Sequence, residues 1–196
     1  RDRTFGKQRA PLIVRTRGHR LEGIWHSGSQ MGSLINLLQG MYILVPRNMT
    51  KAAGFYNTLL KSDEPAVLIE NLNGYRLKER MPVNLGEFTT PIGVVETIKE
   101  GQDLTIVSYG STLKLVEEAS KDLSSVGIDV EIIDAQTLLP FDIKHDVVKS
   151  LKKTNRLAVI DEDIPGGASA YLFEHIVNKQ NGYLYLDSKP ITITAK

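Results

Sequence analysis

The stretch Leu104-Thr-Ile-Val-Ser-Tyr-Gly-Ser-Thr112 (LTIVSYGST) decides the fold class of this chain. Its opening residues are mostly β-branched or aromatic, which is typical of a buried strand. Gly110 then turns the chain, and Ser111 or Thr112 caps a helix that runs to about Ser125. A strand followed at once by a helix is the repeating unit of an α/β protein with a parallel sheet.

The same alternation continues on both sides of this stretch. Further strands are predicted from short apolar, β-branched runs at residues 12–16, 41–45, 66–69, 129–134, 157–160 and 191–194. Helices are predicted from amphipathic spacing and capping residues at 31–38, 51–61, 143–153 and 166–179. We therefore expect an α/β protein with two open, mostly parallel sheets and flanking helices.

Residues 71–100 differ from the sequence on either side. They contain Pro82, Pro91 and several glycines, as in a linker with one hairpin. We predict a boundary near residue 85, with a first domain at 1–85 and a second at 86–196. Because the chain starts on Arg-Asp-Arg and stops on a strand pattern, we expect it to be a piece of a longer polypeptide.

The composition excludes several classes of function. Of 196 residues, 41% are hydrophobic and 24% charged, and the net charge is +1, so no nucleic-acid footprint is indicated. The basic residues near the start suit an exposed surface or a contact with an acidic partner: Arg1, Arg3, Lys7, Arg9, Arg15, Arg17, Arg20. With no cysteine and no long apolar run, we expect a cytoplasmic protein that binds neither nucleic acid nor membrane.

Two strand ends carry polar residues that suggest ligand binding. Tyr109-Gly-Ser-Thr112 could hold a phosphate at the helix N-terminus, but it has one glycine and suits a plain strand-to-helix turn better. Asp161, Glu162 and Asp163 follow a strand and could bind Mg²⁺. Without a matching histidine or carboxylate elsewhere, the bland interpretation is a solvated strand exit or a partner-binding edge.

The four histidines differ in their surroundings. His26 lies in Gly23-Ile-Trp-His-Ser-Gly-Ser-Gln30 (GIWHSGSQ), a loop pattern in which it could be a catalytic group or an ordinary loop histidine. His145 and His175 fall in or near helices and are expected on the surface. His19 has no evident partner, and no catalytic triad is visible.

Several stretches, taken in order, resemble the beta chains of 2-oxo acid dehydrogenase E1 components. The resemblance covers nearly the whole chain from about residue 10, and it rests on Trp25–Ser29, Tyr42–Asn48, Asp63–Glu70, Glu100–Gly110 and Val130–Pro140. It implies the second half of a transketolase-like pyrimidine-binding domain followed by a transketolase C-terminal-like domain. His26 matches the family's active-site histidine, which helps to position substrate and to move protons, although Gly28 replaces the usual glutamine.

The resemblance also implies cofactors and partners. The family uses thiamin diphosphate and Mg²⁺ to decarboxylate a 2-oxo acid such as pyruvate or 2-oxoisovalerate, and it passes the acyl group to a lipoyl E2 component. The diphosphate is held by a Gly-Asp-Gly motif of an alpha-type domain or subunit, and this chain contains no such motif. We therefore expect no cofactor-binding residue here, an alpha-type partner, and contact with a second beta-type copy. A K⁺ ion near the first strand and the end of the Lys51 helix is a further family feature.

Two alternatives stay open at the level of sequence. The C-terminal half also suits a piece of a transketolase or deoxyxylulose phosphate synthase. A non-catalytic α/β module for assembly and partner docking is the alternative of another class. The E1 interpretation implies an oxidoreductase that is active in its full-length context and inactive as this piece alone.

Overall fold

The computed structural model describes residues 7–18 and 29–195. The strands are β1 (Ile13–Gly18), β2 (Tyr42–Leu44), β3 (Ala66–Asn71), β4 (Glu96–Lys99), β5 (Leu104–Ser108), β6 (Val130–Asp134), β7 (Thr137–Leu139), β8 (Leu157–Ile160) and β9 (Ile191–Ile193). The helices are α1 (Met31–Leu37), α2 (Met49–Leu59), α3 (Thr112–Ser125), α4 (Asp146–Thr154) and α5 (Ala168–Glu174). Short 3₁₀ turns cover Leu72–Arg76 and Gly182–Tyr185, and a π turn covers His175–Lys179.

The first sheet has the strand order β1-β3-β2-β7. β3 lies between β1 and β2 and runs parallel to both, with Val67 opposite Val14 and Ile43. All of β3 is buried, as expected for a central parallel strand covered on both faces. The fourth strand, β7, comes from the second half of the chain and pairs antiparallel with β2.

The second sheet has the order β4-β6-β5-β8-β9. β6, β5, β8 and β9 are parallel neighbours, and β4 joins the edge antiparallel to β6. The chain leaves β5 for β6 on one side and then returns to β8 on the other side of β5. The carboxyl ends of β5 and β8 therefore form a topological switch point, the place where open α/β sheets bind ligands. The predicted α/β class with two mostly parallel sheets is confirmed.

Local sequence explains where the main helices begin and end. Asn48 is extended and its side-chain oxygen accepts a hydrogen bond from the Lys51 amide at 2.9 Å, so it is the predicted N-cap of α2. The Asp142 carboxylate accepts from the amides of Asp146 and Val147, so it caps α4, but the helix begins later than the sequence predicted. α3 ends before Gly127, whose φ of +83° suits a residue without Cβ.

The two halves of the chain share one hydrophobic core. Ile43 and Val67 of the first sheet belong to the same buried cluster as Ile133, Leu138 and Val159. Strand β7 strengthens this connection, because it leaves the second half and completes the first sheet. The predicted boundary near residue 85 falls in the segment between the halves and stays a prediction.

The segment 71–100 differs from the predicted linker with a hairpin. It contains the 3₁₀ turn Leu72–Arg76 and then β4, whose partner is β6 rather than a neighbouring strand. Thr90 in the middle of the segment is 3% exposed, and its amide donates to the Gly54 carbonyl of α2 at 3.1 Å. The segment is thus attached to the first half along part of its length.

Candidate functional site

The carboxyl ends of strands from both sheets border one cleft of about 670 Å³. From the first sheet, Arg47 and Asn48 follow β2, and Asn71 ends β3. From the second sheet, Ser111 follows β5 and Glu162 follows β8. The cleft therefore includes the switch point of the second sheet, which makes it the first candidate for a ligand site.

The side chains around this cleft carry both signs of charge. Arg76 and Lys114 line it together with Glu117 and Glu118. Ser111 occupies the N-cap position of α3, as predicted, but its side chain makes no capping hydrogen bond. Such a lining can donate and accept hydrogen bonds to a polar molecule, and it does not select strongly for anions or cations.

The acidic triplet at the exit of β8 is structural rather than solvated. Asp161 and Asp163 are 3% and 5% exposed. The Asp161 carboxylate accepts from the Ser169 amide at 2.9 Å and from the Asp163 amide at 3.0 Å. The expectation of a solvated strand exit is therefore wrong for these two residues, because the first turn of α5 turns back onto them and supplies amide donors.

Asp163 also joins this exit to the first half of the chain. Its Oδ2 atom accepts from the Gly32 amide of α1 at 3.0 Å and from the Ala168 amide of α5 at 3.3 Å. The two helix N-termini meet closely, since a Cβ on Gly32 would lie 2.7 Å from the Cα of Gly167. One carboxylate thus satisfies backbone donors from two helices that belong to different halves.

Tyr109 lies beneath this junction and is completely buried. Its hydroxyl donates to Oδ1 of Asp161 at 2.5 Å, and it shares a second hydrogen bond with the Ser29 side chain. Burial, followed by the charge of Asp161, raises the pKa of Tyr109 well above its ordinary value, so the phenol stays protonated. Burial also raises the pKa of Asp161, against the hydrogen bond from Tyr109.

A second polar cluster connects the halves on the other side of the cleft. Arg47 donates through Nη1 to Glu96 at 2.5 Å and to Asp134 at 2.7 Å, and Lys51 lies 2.8 Å from the same Glu96 oxygen. Asp134 is completely buried. Burial raises the pKa of Asp134 to about 6, although the Arg47 guanidinium acts in the opposite direction.

The structure places the predicted site histidines apart from one another. His26, the predicted catalytic residue, and His19 lie outside the described residues. His145 is exposed at the start of α4, as expected. His175 is partly buried, 5.2 Å from the Tyr171 ring and 5.8 Å from the Phe141 ring by centroids, so its expected surface position is wrong.

The surroundings of His175 predict a pH dependence of stability. Burial, then the charge of Lys179, lowers the pKa of His175 from its ordinary 6.5. The folded chain therefore binds this proton less readily than the unfolded chain does. The contribution of neutral His175 is present above about pH 6.5 and is lost as the pH falls below it. Urea unfolding between pH 8 and pH 5 should show a steeper loss of stability for the parent than for His175→Phe.

The aromatic replacement suits the ring contacts with Phe141 and Tyr171 while removing the titrating group. The exposed His145 is the matched control, and His145→Asn should keep the slope of the parent, because asparagine tolerates the φ of +55° at this position. Parallel curves for the parent and His175→Phe would contradict this assignment.

Comparison with known proteins agrees with this architecture. The model of the transketolase C-terminal domain family matches residues 93–196, which is more than half of the chain. The chain belongs to this family. The matched region contains the whole second sheet except for no strand of the first half, and it includes β7, which completes the first sheet.

Beta subunits of E1 components resemble the chain over nearly its whole length. The pyruvate dehydrogenase E1 beta subunits of Acholeplasma laidlawii and Mycoplasma genitalium are 29% and 31% identical over 99% of this chain. The beta subunit of an acetoin:2,6-dichlorophenolindophenol oxidoreductase from Bacillus subtilis is 32% identical over 97%. The chain covers 59%, 59% and 55% of these relatives, so it spans little more than half of their length.

A solved structure shows the same fold. A chain described as "Split gene transketolase, inactive beta4 tetramer" superposes with a TM-score of 0.71 over 93% of this chain and 55% of that chain, at 20% identity. With the sequence relatives, this likeness confirms the predicted resemblance of the transketolase C-terminal domain family member to E1 beta chains.

The described residues were also compared with the predicted metal and membrane properties. Residues 7–18 and 29–195 contain no group of three or more His, Cys, Asp or Glu side chains that could hold a metal ion. The alternative of a Mg²⁺ site at Asp161–Asp163 thus has no support within that part of the chain. No helix among the same residues is long and apolar enough to cross a membrane.

Sequence reasoning missed most of the residues that connect the halves. Arg47 and Tyr109 were assigned no side-chain partner, and Gly32 was assigned no special role. Their partners lie far away in the sequence, at Asp134, Asp161 and Asp163. The one available signal was the position of polar residues directly after β2, β5 and β8, since the carboxyl ends of parallel strands meet at one edge of a sheet.

Proposed function

We propose that this chain forms the beta-type part of a thiamin-diphosphate-dependent 2-oxo acid dehydrogenase E1 component. The observation that carries the proposal is the similarity to E1 beta subunits over 97–99% of the chain. The relatives are named as subunits of oxidoreductases that act on pyruvate or acetoin. The 2-oxo acid is decarboxylated in the full-length assembly, and the acyl group passes to a lipoyl E2 component.

His26 is the proposed catalytic residue of this chain. Its place in Trp25-His-Ser-Gly-Ser29 matches the histidine pattern of the E1 family. An imidazole has a pKa near the operating pH, so it can donate a proton to a reacting oxygen and take one back. In this proposal His26 orients the 2-oxo acid and handles a proton, while the carbanion chemistry comes from the cofactor.

The described residues do not fit the diphosphate and Mg²⁺ of thiamin diphosphate. They include no cluster of three possible metal ligands, and the cleft at the strand ends is lined by glutamates as well as by cations. The sequence has no Gly-Asp-Gly motif. We therefore derive no step through the cofactor from this chain and propose that an alpha-type domain or subunit holds it.

The proposed partners follow from the same family. They are an alpha-type E1 domain or subunit, a second beta-type copy and a lipoyl E2 component. A K⁺ site near α2 stays a prediction without assigned ligands, as does the cytoplasmic location expected from the cysteine-free sequence. No observation favours a transketolase or a docking module over the E1 proposal at the level of function.

Cofactor titration tests the proposal directly. Calorimetry of the full-length protein with its alpha-type partner should show binding of thiamin diphosphate in the presence of Mg²⁺, because the cage would then be complete. The 196-residue chain alone should show no binding at micromolar concentrations, since it lacks the Gly-Asp-Gly motif.

The same assembly should consume a 2-oxo acid in an assay with an artificial electron acceptor. Pyruvate, 2-oxoisovalerate and acetoin form the substrate panel, because the relatives include both pyruvate and acetoin enzymes. A ketose phosphate added with an aldose acceptor is the control for transketolase activity. Absence of thiamin diphosphate binding by the full-length assembly would reject the proposed function.

A further inference from the structure

The segment Ser29–Gly32, which follows His26 and leads into α1, is attached at two points to the second half of the chain. Ser29 is 8% exposed, and Met31 next to it is 2% exposed. Ser29 begins the described part of the chain after the stretch that carries His26, only three positions further along. Whatever fixes Ser29 and Gly32 therefore fixes the carboxyl side of the His26 segment.

The first attachment is a chain of hydrogen bonds through Tyr109. The Tyr109 hydroxyl donates its proton to Asp161 at 2.5 Å, so the Ser29 hydroxyl is left to donate to the phenol oxygen. Asp161 is itself held by the amides of Asp163 and Ser169. Because Tyr109 is completely buried among well-packed neighbours, this chain has little freedom to move.

The second attachment is the Asp163 carboxylate. It accepts from the Gly32 amide at 3.0 Å while its other oxygen accepts from the Ile164 amide at 2.8 Å. Gly32 and Gly167 approach so closely that a Cβ on Gly32 would lie 2.7 Å from the Cα of Gly167. The start of α1 is thus held by a buried charge and by steric contact.

We propose that Tyr109, Asp161 and Asp163 are positioning residues for His26. They fix Ser29 and Gly32, and through the short connection they set where the imidazole is presented. The inference rests on the proposed function, because a position matters only if His26 acts on the substrate. A misplaced acid–base group costs rate rather than substrate affinity, since the geometry is needed in the transition state.

Thr105 offers a matched control for the loss of a buried hydroxyl. It lies near the amino end of β5, whereas Tyr109 directly follows the same strand. Its hydroxyl is within 2.5 Å of Ser150 and 2.6 Å of Thr154, and it has no contact with the Ser29–Gly32 segment. Thr105→Val and Tyr109→Phe therefore each remove one hydroxyl from a buried network in the same sheet.

The first test is spectroscopic and does not depend on turnover. Trp25, the only tryptophan of this chain, is adjacent to His26. The full-length protein is labelled with 5-fluorotryptophan, and the Trp25 resonance is assigned with Trp25→Phe. In Tyr109→Phe and in Ser29→Ala the fluorine resonance of Trp25 should shift or broaden. In Thr105→Val it should keep its position.

The second test is kinetic, in the cofactor-saturated full-length assembly. Tyr109→Phe and Ser29→Ala should each lower kcat about tenfold, with KM within about twofold of the parent. Because both break the same hydrogen bond, the double variant should be no slower than the slower single variant. Thr105→Val should keep the parent kcat.

The outcomes separate this inference from the proposed function. An unchanged Trp25 resonance in Tyr109→Phe, or a changed resonance with normal kcat, overturns the positioning role. An equal fall of kcat in Thr105→Val also overturns it, because the effect would then be a general loss of stability. If the parent assembly binds no thiamin diphosphate, the proposed function fails, and the positioning role fails with it.

Discussion

Arg47→Leu is expected to lower the free energy of unfolding by about 3–5 kcal/mol, the scale for removing one partner of a buried ion pair. Arg47 donates to Glu96 and Asp134 through one nitrogen, and Asp134 is completely buried. Leucine fills part of the volume of the arginine stem but leaves the Asp134 carboxylate without its cation. The substitution also weakens a connection between the first half, which carries Arg47, and the second half.

The loss should depend on pH in a defined direction. Because the pKa of Asp134 is raised to about 6 in the folded chain, its carboxyl group is largely protonated at pH 5 and needs no cation there. The difference between the parent and Arg47→Leu should therefore be larger at pH 8 than at pH 5. Urea unfolding at both values measures it.

The exposed pair of Arg156 and Asp187 provides the control. Its side chains are 51% and 47% exposed, and the atoms lie 2.9 Å apart. Arg156→Leu should cost less than about 1 kcal/mol at either pH, as for a pair in water. Similar losses for both arginines would show that the buried cluster contributes no more than a surface ion pair.

Much of the fold could be predicted because it depends on local patterns. The apolar runs of β3, β5 and β8 are continuous, and such runs predict parallel strands covered on both faces. Asn48 before α2 and Gly127 after α3 act through neighbouring backbone groups, so their role is readable from a few residues. These signals sufficed for the α/β class and for the order of most elements.

The two antiparallel strands could not be predicted, because their partners are distant in sequence. β7 is three residues long and lies directly after β6, where it suggested no separate strand. It exists because Gln136, with a φ of +57°, turns the chain away from the second sheet toward β2. β4 likewise depends on pairing with β6 across the intervening β5 and α3.

The candidate site shows the same division between local and distant causes. The position of Asp161 and Asp163 after a strand was readable, but their burial was not. Burial requires amide donors from α5 and from Gly32, and the Gly32 donor belongs to the other half of the chain. Charged groups of this kind are assigned to solvent by default until their partners are known.

His26→Ala in the full-length, cofactor-saturated assembly is expected to reduce decarboxylation and acyl transfer about a hundredfold or more. This is the usual scale for losing a positioned acid–base group. The reason is the match of Trp25-His-Ser-Gly-Ser29 to the family's active-site histidine. The free energy of unfolding should change by less than about 0.5 kcal/mol, since the sequence places His26 in a loop pattern rather than on a packed face. Turnover and urea unfolding are both measured.

The matched control is His145→Ala, because His145 is exposed and lies at the start of α4. It should keep the turnover of the parent. His26→Ala should also remove one limb of the pH dependence of kcat, which a purely structural residue would not do. Near-normal turnover in His26→Ala would reject the catalytic assignment. Lost turnover with an equally large loss of stability would make His26 structural, and the hydrogen bonds around Ser29 would then serve folding rather than catalysis.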